Sequence, residues 1–501
     1  MKVHRPYLLI LLAIAFVVTA ANVGWTLLDQ RPPHWDMARH LVTSLDYRDA
    51  AQQGHWGTLV RGYYYYPPLI YLSVLPWYAL FGSSVAVAVA SNFGWLALLL
   101  VSVYGLGQQL WNRRVGLVAA IVSAGTPMLV SQFKEFQLDA PLAAVTAAIV
   151  YALIRSRALS NVKWSIAVGL ALGLGLLLKW TFALIMLVPV GYCLVLVAWR
   201  FQRQRQLANF AGVVMAGLSA YAMVSAWYWS NFDVLQTDLI NNGNDAGVRE
   251  GDPAIWTAAS NSWYLDAAIN TQIYAGLAIV LAVGIGYWMW RKRLAVGSDW
   301  LIVALTVVGT YTLFTLLPNK DARYTLPMIP LLVVLGCGGL MSLRGRWVKY
   351  MGTGLIIYSA VSWTLMSFGG SQRLPRIAIA DRVVIWAPHG YLIGAPSADR
   401  WYQAEAFDQA RAISPAIHYQ AWDTIWFNNW GAAYYAHQLG LTMVPSTENA
   451  GAMITRTAPA TAPAELRAAW QPEPAQGWTK VWSRSLPDGT TVTVWQPLDS
   501  L

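Results

Sequence analysis

Five side chains stand where they can do chemistry. Asp36 follows an apolar run in HWDMARH, and Asp139 opens an apolar segment in KEFQLDAPL. Lys179 is alone in LLKW, and Lys320 and Arg323 share LPNKDARYTLP. A carboxylate can take the proton from an attacking hydroxyl. Cations can stabilise the charge that builds on a departing phosphate. A lipid phosphate lies at headgroup depth, so its cations belong at the ends of helices rather than in the middle of them.

The elements that must position these residues are apolar. Of 501 residues, 56% are hydrophobic and 12% charged, with 27 Trp. A soluble domain carries about 25% charged residues, so the chain reads as a multi-pass membrane protein. Its net charge of +10 does not indicate nucleic acid, because the basic residues sit in short clusters between apolar runs. Cys193 and Cys337 both fall inside apolar runs and read as buried small side chains.

Eleven spans are expected: 7–28, 84–110, 115–133, 140–154, 164–178, 180–199, 207–230, 267–290, 300–317, 324–343 and 347–368. A bilayer core takes about 20 apolar residues. The clusters Lys2/Arg5, Arg113/Arg114, Arg155/Arg157/Lys163, Arg200/Arg203/Arg205, Arg291/Lys292/Arg293 and Arg344/Arg346/Lys349 fall in alternate loops. That places them, and the N-terminus, in the cytoplasm. Residues 63–82 are apolar enough to cross, but crossing would reverse every later cluster, so an interfacial helix is expected there. A single helix over 164–199 would run ~54 Å at ~1.5 Å per residue, too long for a core of ~30 Å. Two helices meeting at Lys179 satisfy both constraints. Residues 7–20 also have the pattern of a signal peptide.

The outer segments then are 29–82, 134–139, Lys179, 231–266 and 318–323. Residues 231–253, rich in Asn, Gly and Asp, read as a mobile loop. WTAASNSWYLDAAI reads as a short amphipathic helix leading into the next span. Two domains are expected: a membrane domain over 1–368, with its outer catalytic loop at 29–82, and an extracytoplasmic α/β domain over 369–501. In the second, RVVIWA, DTIWFNN and AMITRT read as strands, and DRWYQAEAFDQARAI and WGAAYYAHQLGL as helices. A hairpin turns at Pro487-Asp488-Gly489.

Five motifs in order resemble one family. HWD after the first span, YYPPL, QLDAPL, LLKW and NKDARYTLPMIP are similar to the family 39 glycosyltransferases. That family includes protein O-mannosyltransferases and lipid A aminoarabinose transferases, with the GT-C architecture. The resemblance covers about residues 1–370. It implies transfer of a hexose or pentose, with inversion, from a polyprenyl-phosphate donor to a hydroxyl of a lipid, glycan or protein at the outer face of a cell membrane. It implies Asp36 as the catalytic carboxylate and Asp139 as the acid of the second outer loop. Lys179, Lys320 and Arg323, with Tyr324, Tyr66 and Arg61 beside them, become the donor-phosphate residues. Asp36-Met37 stands where the mannosyltransferases have an Asp-Glu pair, and Tyr65-Tyr66 where the aminoarabinose transferases have Glu-Lys before Pro-Pro. Loss of that Lys moves phosphate binding onto the other cations.

Each residue has a plainer reading. Asp139 suits a helix N-cap, Lys179 a snorkelling anchor, and Lys320 or Arg323 an ion pair with Asp321. Tyr63 to Tyr66 suit an interfacial aromatic belt. His34, Asp36 and His55 lack a spacing that demands a metal, and neither a metal nor another cofactor is expected. The competing functions are a transporter or flippase and a scaffold for the C-terminal domain. A transporter usually places ionisable groups mid-membrane and shows repeats, which this sequence does not. A scaffold leaves the gathering of acids and cations at one surface unexplained.

Overall fold

The structure is a computed structural model describing residues 5–62, 64–204, 208–291, 296–343, 347–369, 374–470, 473–474 and 477–498, without the side chains of 208–209, 238–245 and 347–349. Lys2, Tyr63, Arg205, Lys292, Arg293, Arg344, Arg346 and the Lys349 side chain lie outside the described residues.

Among the described residues, five helices are long and apolar enough to cross a membrane: Arg5–Leu28, Val85–Leu110, Phe182–Gln204, Phe210–Thr237 and Tyr350–Phe368. A sixth crossing results if the pair Ala258–Gln272 and Ala275–Arg291, bent by 117°, counts as one. Each remaining expected span contains a shorter helix, so helix length alone does not establish eleven crossings. The run 115–133 shows why. It splits into Arg113–Ala124 and Pro127–Gln132, because Pro127 has no N–H to continue the first helix and suits the first turn of the second.

One expectation about the loops is corrected. Residues 231–250 are not a loop: the helix Ala208–Glu250 runs through them. At ~1.5 Å per residue its 43 residues are about twice as long as a bilayer core. Tertiary contacts override the Asn/Gly composition. Asn231 Nδ2 donates to the carbonyl of Arg61 at 2.9 Å. A Cβ on Gly247 would lie 2.7 Å from the Pro318 carbonyl oxygen, so only glycine lets the helix approach that loop. The helix ends at Gly251, whose φ of +74° is a left-handed stop. The segment Lys134 to Asp139, expected as a short outer loop, is buried throughout. Asn22 and Asn92 hold its backbone by bonds to the carbonyls of Phe133 and Glu135. Lys134 Nζ donates to the carbonyls of Met366 and Gly394.

The chain divides into two compact units. Unit 1 comprises 1–25, 54–74 and 89–395; unit 2 comprises 26–53, 75–88 and 396–501. Unit 1 holds most of the helices and the hairpin of β1 (Ile377–Ile379) and β2 (Val383–Trp386). The expected strand RVVIWA is therefore β2.

Unit 2 contains a mixed sheet of β3 (Ala416–Ala421), β4 (Thr442–Val444), β5 (Ala452–Arg456), β6 (Trp478–Ser485) and β7 (Thr491–Pro497). Its order is β4-β3-β5-β7-β6, with β3 parallel to β4 and β5, and β7 antiparallel to β5 and β6. The helices Gln403–Arg411 and Asn429–Leu439, the strand AMITRT and the hairpin turning at Pro487-Asp488-Gly489 fall where the sequence places them. DTIWFNN is not a strand. Thr424 Oγ1 accepts from Phe427 N, and Asn428 caps the next helix through Gly431 N, so these side chains turn the backbone instead. The centre of the parallel part, β3, and its edge, β4, are both left out of the sequence reading.

Candidate functional site

In unit 1, Lys179 Nζ lies 2.9 Å from Asp139 Oδ1, and both side chains are buried. Local geometry aims each of them. Asp139 is in the first turn of the helix Asp139–Arg155, where the helix dipole favours a carboxylate. It is not the N-cap, a place taken by Leu138 with no side-chain cap bond. Lys179 closes the helix Val162–Leu178 in an extended conformation that turns its side chain into the protein. Burial excludes the snorkelling reading. The ammonium also lies 5.0 Å from the ring centre of Tyr324 and 5.8 Å from that of Tyr66, close enough for cation–π attraction.

Tyr66 is presented by a tight turn. Tyr64 and Tyr66 bridge across Tyr65, whose φ of +72° is left-handed. The segment before it is tied to the long helix by Trp227 Nε1 on the Gly62 carbonyl and by Asn231 on that of Arg61. Arg61 itself is exposed, and Asn231 holds it through its backbone carbonyl.

The loop 318–325 separates the three remaining residues. Arg323 forms a bidentate pair with Asp321, with Nε 3.0 Å from both carboxylate oxygens. Burial would raise the Asp321 carboxyl, but the charge and hydrogen bonds of Arg323, aided by Lys179, outweigh it and hold it below the usual range. The Arg323 guanidinium also sits 5.6 Å over the ring of Tyr391. Tyr324 donates to Asn319 Oδ1 at 2.7 Å.

Lys320 does not join Lys179. Its Nζ donates to the carbonyls of Thr315 at 2.6 Å and Leu317 at 2.5 Å, with Phe314 at 3.4 Å. Phe314 and Thr315 end the helix Asp299–Thr315 and Leu317 lies in the turn after it, so the ammonium clasps the C-terminal end of that helix. Burial pushes the Lys320 ammonium down, against the charge of Asp252.

Two polar residues that the sequence reading missed hold this loop. Gln272, buried in the π-helical turn at the bend, donates to the Ala322 carbonyl and Thr325 Oγ1. Asp252 Oδ2 accepts from Lys320 N at 2.7 Å. A glutamine inside an apolar span was the available signal for the first.

In unit 2, Asp36 is half-buried in the first turn of the helix Trp35–Gln52, again where the dipole favours a carboxylate. That helix is held from end to end. Asp29 pairs with Arg31 and accepts from Ser397 N at 2.7 Å. Burial raises the Asp29 carboxyl, with Arg31 opposing. Trp35 N donates to the Ile425 carbonyl, and the Arg31 guanidinium lies 4.7 Å over Trp426. His34 is buried edge-on to Trp426. Farther along, Arg39 sits over Trp430 and His437 Nε2 lies 3.3 Å from Asp49 and 3.5 Å from Asp46.

The loop 422–428 is fixed from behind by Arg456, fully buried on β5. Its guanidinium donates to the Trp422 carbonyl, Thr424 Oγ1, Thr490 Oγ1 and the Asp488 carboxylate. Among the described residues no three His, Cys, Asp or Glu side chains gather as a metal-ligand set.

The comparisons agree with this architecture. The family model described as dolichyl-phosphate-mannose-protein mannosyltransferase matches residues 66–229. The crystal structure of ArnT from Cupriavidus metallidurans in the apo state superposes with a TM-score of 0.60 at 16% identity over 99% of both chains. The same protein bound to undecaprenyl phosphate gives 0.58 at 17% identity over 98% of both. The Archaeoglobus fulgidus oligosaccharyltransferase gives 0.50 at 12% identity, covering 88% of this chain and 63% of that one. No curated protein matches the chain by sequence. The chain has a GT-C glycosyltransferase fold and is a multi-pass membrane protein.

Proposed function

We propose that this protein transfers one sugar, a hexose or pentose, from a polyprenyl phosphate to an acceptor hydroxyl, with inversion, at the outer face of the membrane. The observation that carries the reading is the buried pair of Lys179 and Asp139, walled by Tyr66 and Tyr324, inside a fold shared with a protein that binds undecaprenyl phosphate. Lys179 and Arg323 bind the donor phosphate and neutralise it as it leaves. Tyr66 and Tyr324 line that place, and Arg61 adds positive charge nearer solvent. Lys320 acts through the backbone it holds. Asp36 takes the proton from the acceptor hydroxyl as oxygen attacks the anomeric carbon. The C–O bond to phosphate breaks on the opposite face, and its electron pair leaves with the phosphate. Lys and Arg supply the positive charge, so no metal is assigned a step.

The test is sugar transfer by purified protein from polyprenyl-phosphate sugars in a lipid extract. Asp36→Asn keeps the shape and removes the base, and loss of a general base costs about 10²–10⁴ in rate. Asp139→Asn lowers the rate by a comparable or smaller factor. Wild-type transfer by Asp36→Asn would refute the mechanism.

A further inference from the structure

We propose that unit 1 carries an anion-binding cleft that takes the phosphate or carboxylate of the acceptor. The cleft encloses about 580 Å³ between the bend at 268–274 and the β1–β2 hairpin, within the ~300–1,000 Å³ range of small-molecule sites. Arg376 and Arg382 both line it. Among the described residues neither guanidinium pairs with a carboxylate; Arg376 Nη2 donates to the Asp381 carbonyl at 3.3 Å. Among the described residues one carboxylate lines the cleft, Asp266, and it already accepts from Asn270 Nδ2 at 2.8 Å. The balance of charge is positive. Guanidinium forks match phosphate and carboxylate oxygens.

The cleft is built. Asn270 Oδ1 accepts from Val384 N at 2.8 Å, so the bend holds the hairpin in register. The floor is Tyr274, buried at a φ of +64°, with its hydroxyl donating to the His389 carbonyl. Tyr391 forms one wall and carries Arg323 over its ring. An anion held in the cleft therefore lies one side chain away from the Asp321–Arg323 pair. Arg376, Arg382 and Asp266 are exposed to solvent, which favours a polar acceptor over the lipid donor. Only the word acceptor rests on the transfer reading; the anion site stands on the cleft itself.

The test uses the full chain in a neutral detergent and ³¹P NMR titration with inorganic phosphate. A parallel arm uses nanodiscs of phosphatidylcholine with or without phosphatidylglycerol. Saturable binding of inorganic phosphate, weakened at least tenfold in Arg376→Gln/Arg382→Gln with an unchanged melting curve, is the expected result. Equal binding by the wild type and the double variant overturns the site. Arginine-dependent binding of phosphatidylglycerol alone makes it a lipid headgroup site and overturns the acceptor role. In the transfer assay the double variant should raise KM for a phosphorylated acceptor at least tenfold and leave donor KM unchanged. Lost phosphate binding with unchanged transfer also overturns the acceptor role. If Asp36→Asn remains active, the transfer mechanism fails while the binding result stands.

Discussion

Lys179 and Asp139 close a buried ion pair across 40 residues of chain, Nζ to Oδ1 at 2.9 Å. Two buried charges of opposite sign stabilise each other only while both are present. Removing one partner of such a pair costs ~3–5 kcal/mol, whereas replacing both can be close to neutral. Lys179→Met and Asp139→Asn should each lower the unfolding midpoint in detergent by more than the double variant does. Additive losses in the double variant would show that the pair does not act as a unit.

Lys320 and Arg323 are close in sequence and should behave differently. Lys320 holds the carbonyls at the end of the helix Asp299–Thr315, and hydrogen bonds from a charged donor are worth ~1.5–3 kcal/mol. Lys320→Met should lower thermal stability and reduce kcat in step with the folded fraction. Arg323→Ala leaves Asp321 without its partner and should cost some stability, but it should also raise donor KM beyond what the lost folded fraction explains. The measurement is donor KM against kcat alongside a melting curve. A pure stability loss in Arg323→Ala would remove that residue from phosphate binding.

His437 ties the helix Asn429–Leu439 to the helix that carries Asp36. The hydrogen bond to Asp46 raises its pKa first; burial opposes, and the charge of Asp49 adds to the rise while Arg48 subtracts. A histidine raised by its partners contributes stability that is fully present below the unfolded value of about 6.5. That contribution is lost as pH climbs through the higher folded value. Hydrogen exchange over residues 37–52 should therefore quicken from pH 6 to pH 9 beyond its intrinsic rate. His437→Gln should abolish the excess. The pair is part-exposed, so the effect should shrink in high salt.

Composition and local pattern carry part of this architecture. Apolar content made this a membrane protein, and Pro487-Asp488-Gly489 set a hairpin, because both depend on residues near in the chain. The acids and cations worth considering were also legible, since few charged residues interrupt the apolar runs. Their partners were not. Asp139 could be a cap or a site residue until the fold brought Lys179 to it. Lys320 looked equal to Arg323 until its ammonium was seen on three backbone carbonyls. The helix through 231–250 and the strand β3 contradict or escape local reading for one physical reason. Each is decided by tertiary contact, of Gly247 with Pro318 and of β3 with β4 and β5. Long-range packing outweighs a composition worth a few tenths of a kcal/mol per residue to ~1 for glycine. The cleft of Arg376 and Arg382 exists only because the bend at 268–274 and the hairpin meet, which no stretch of the sequence alone contains.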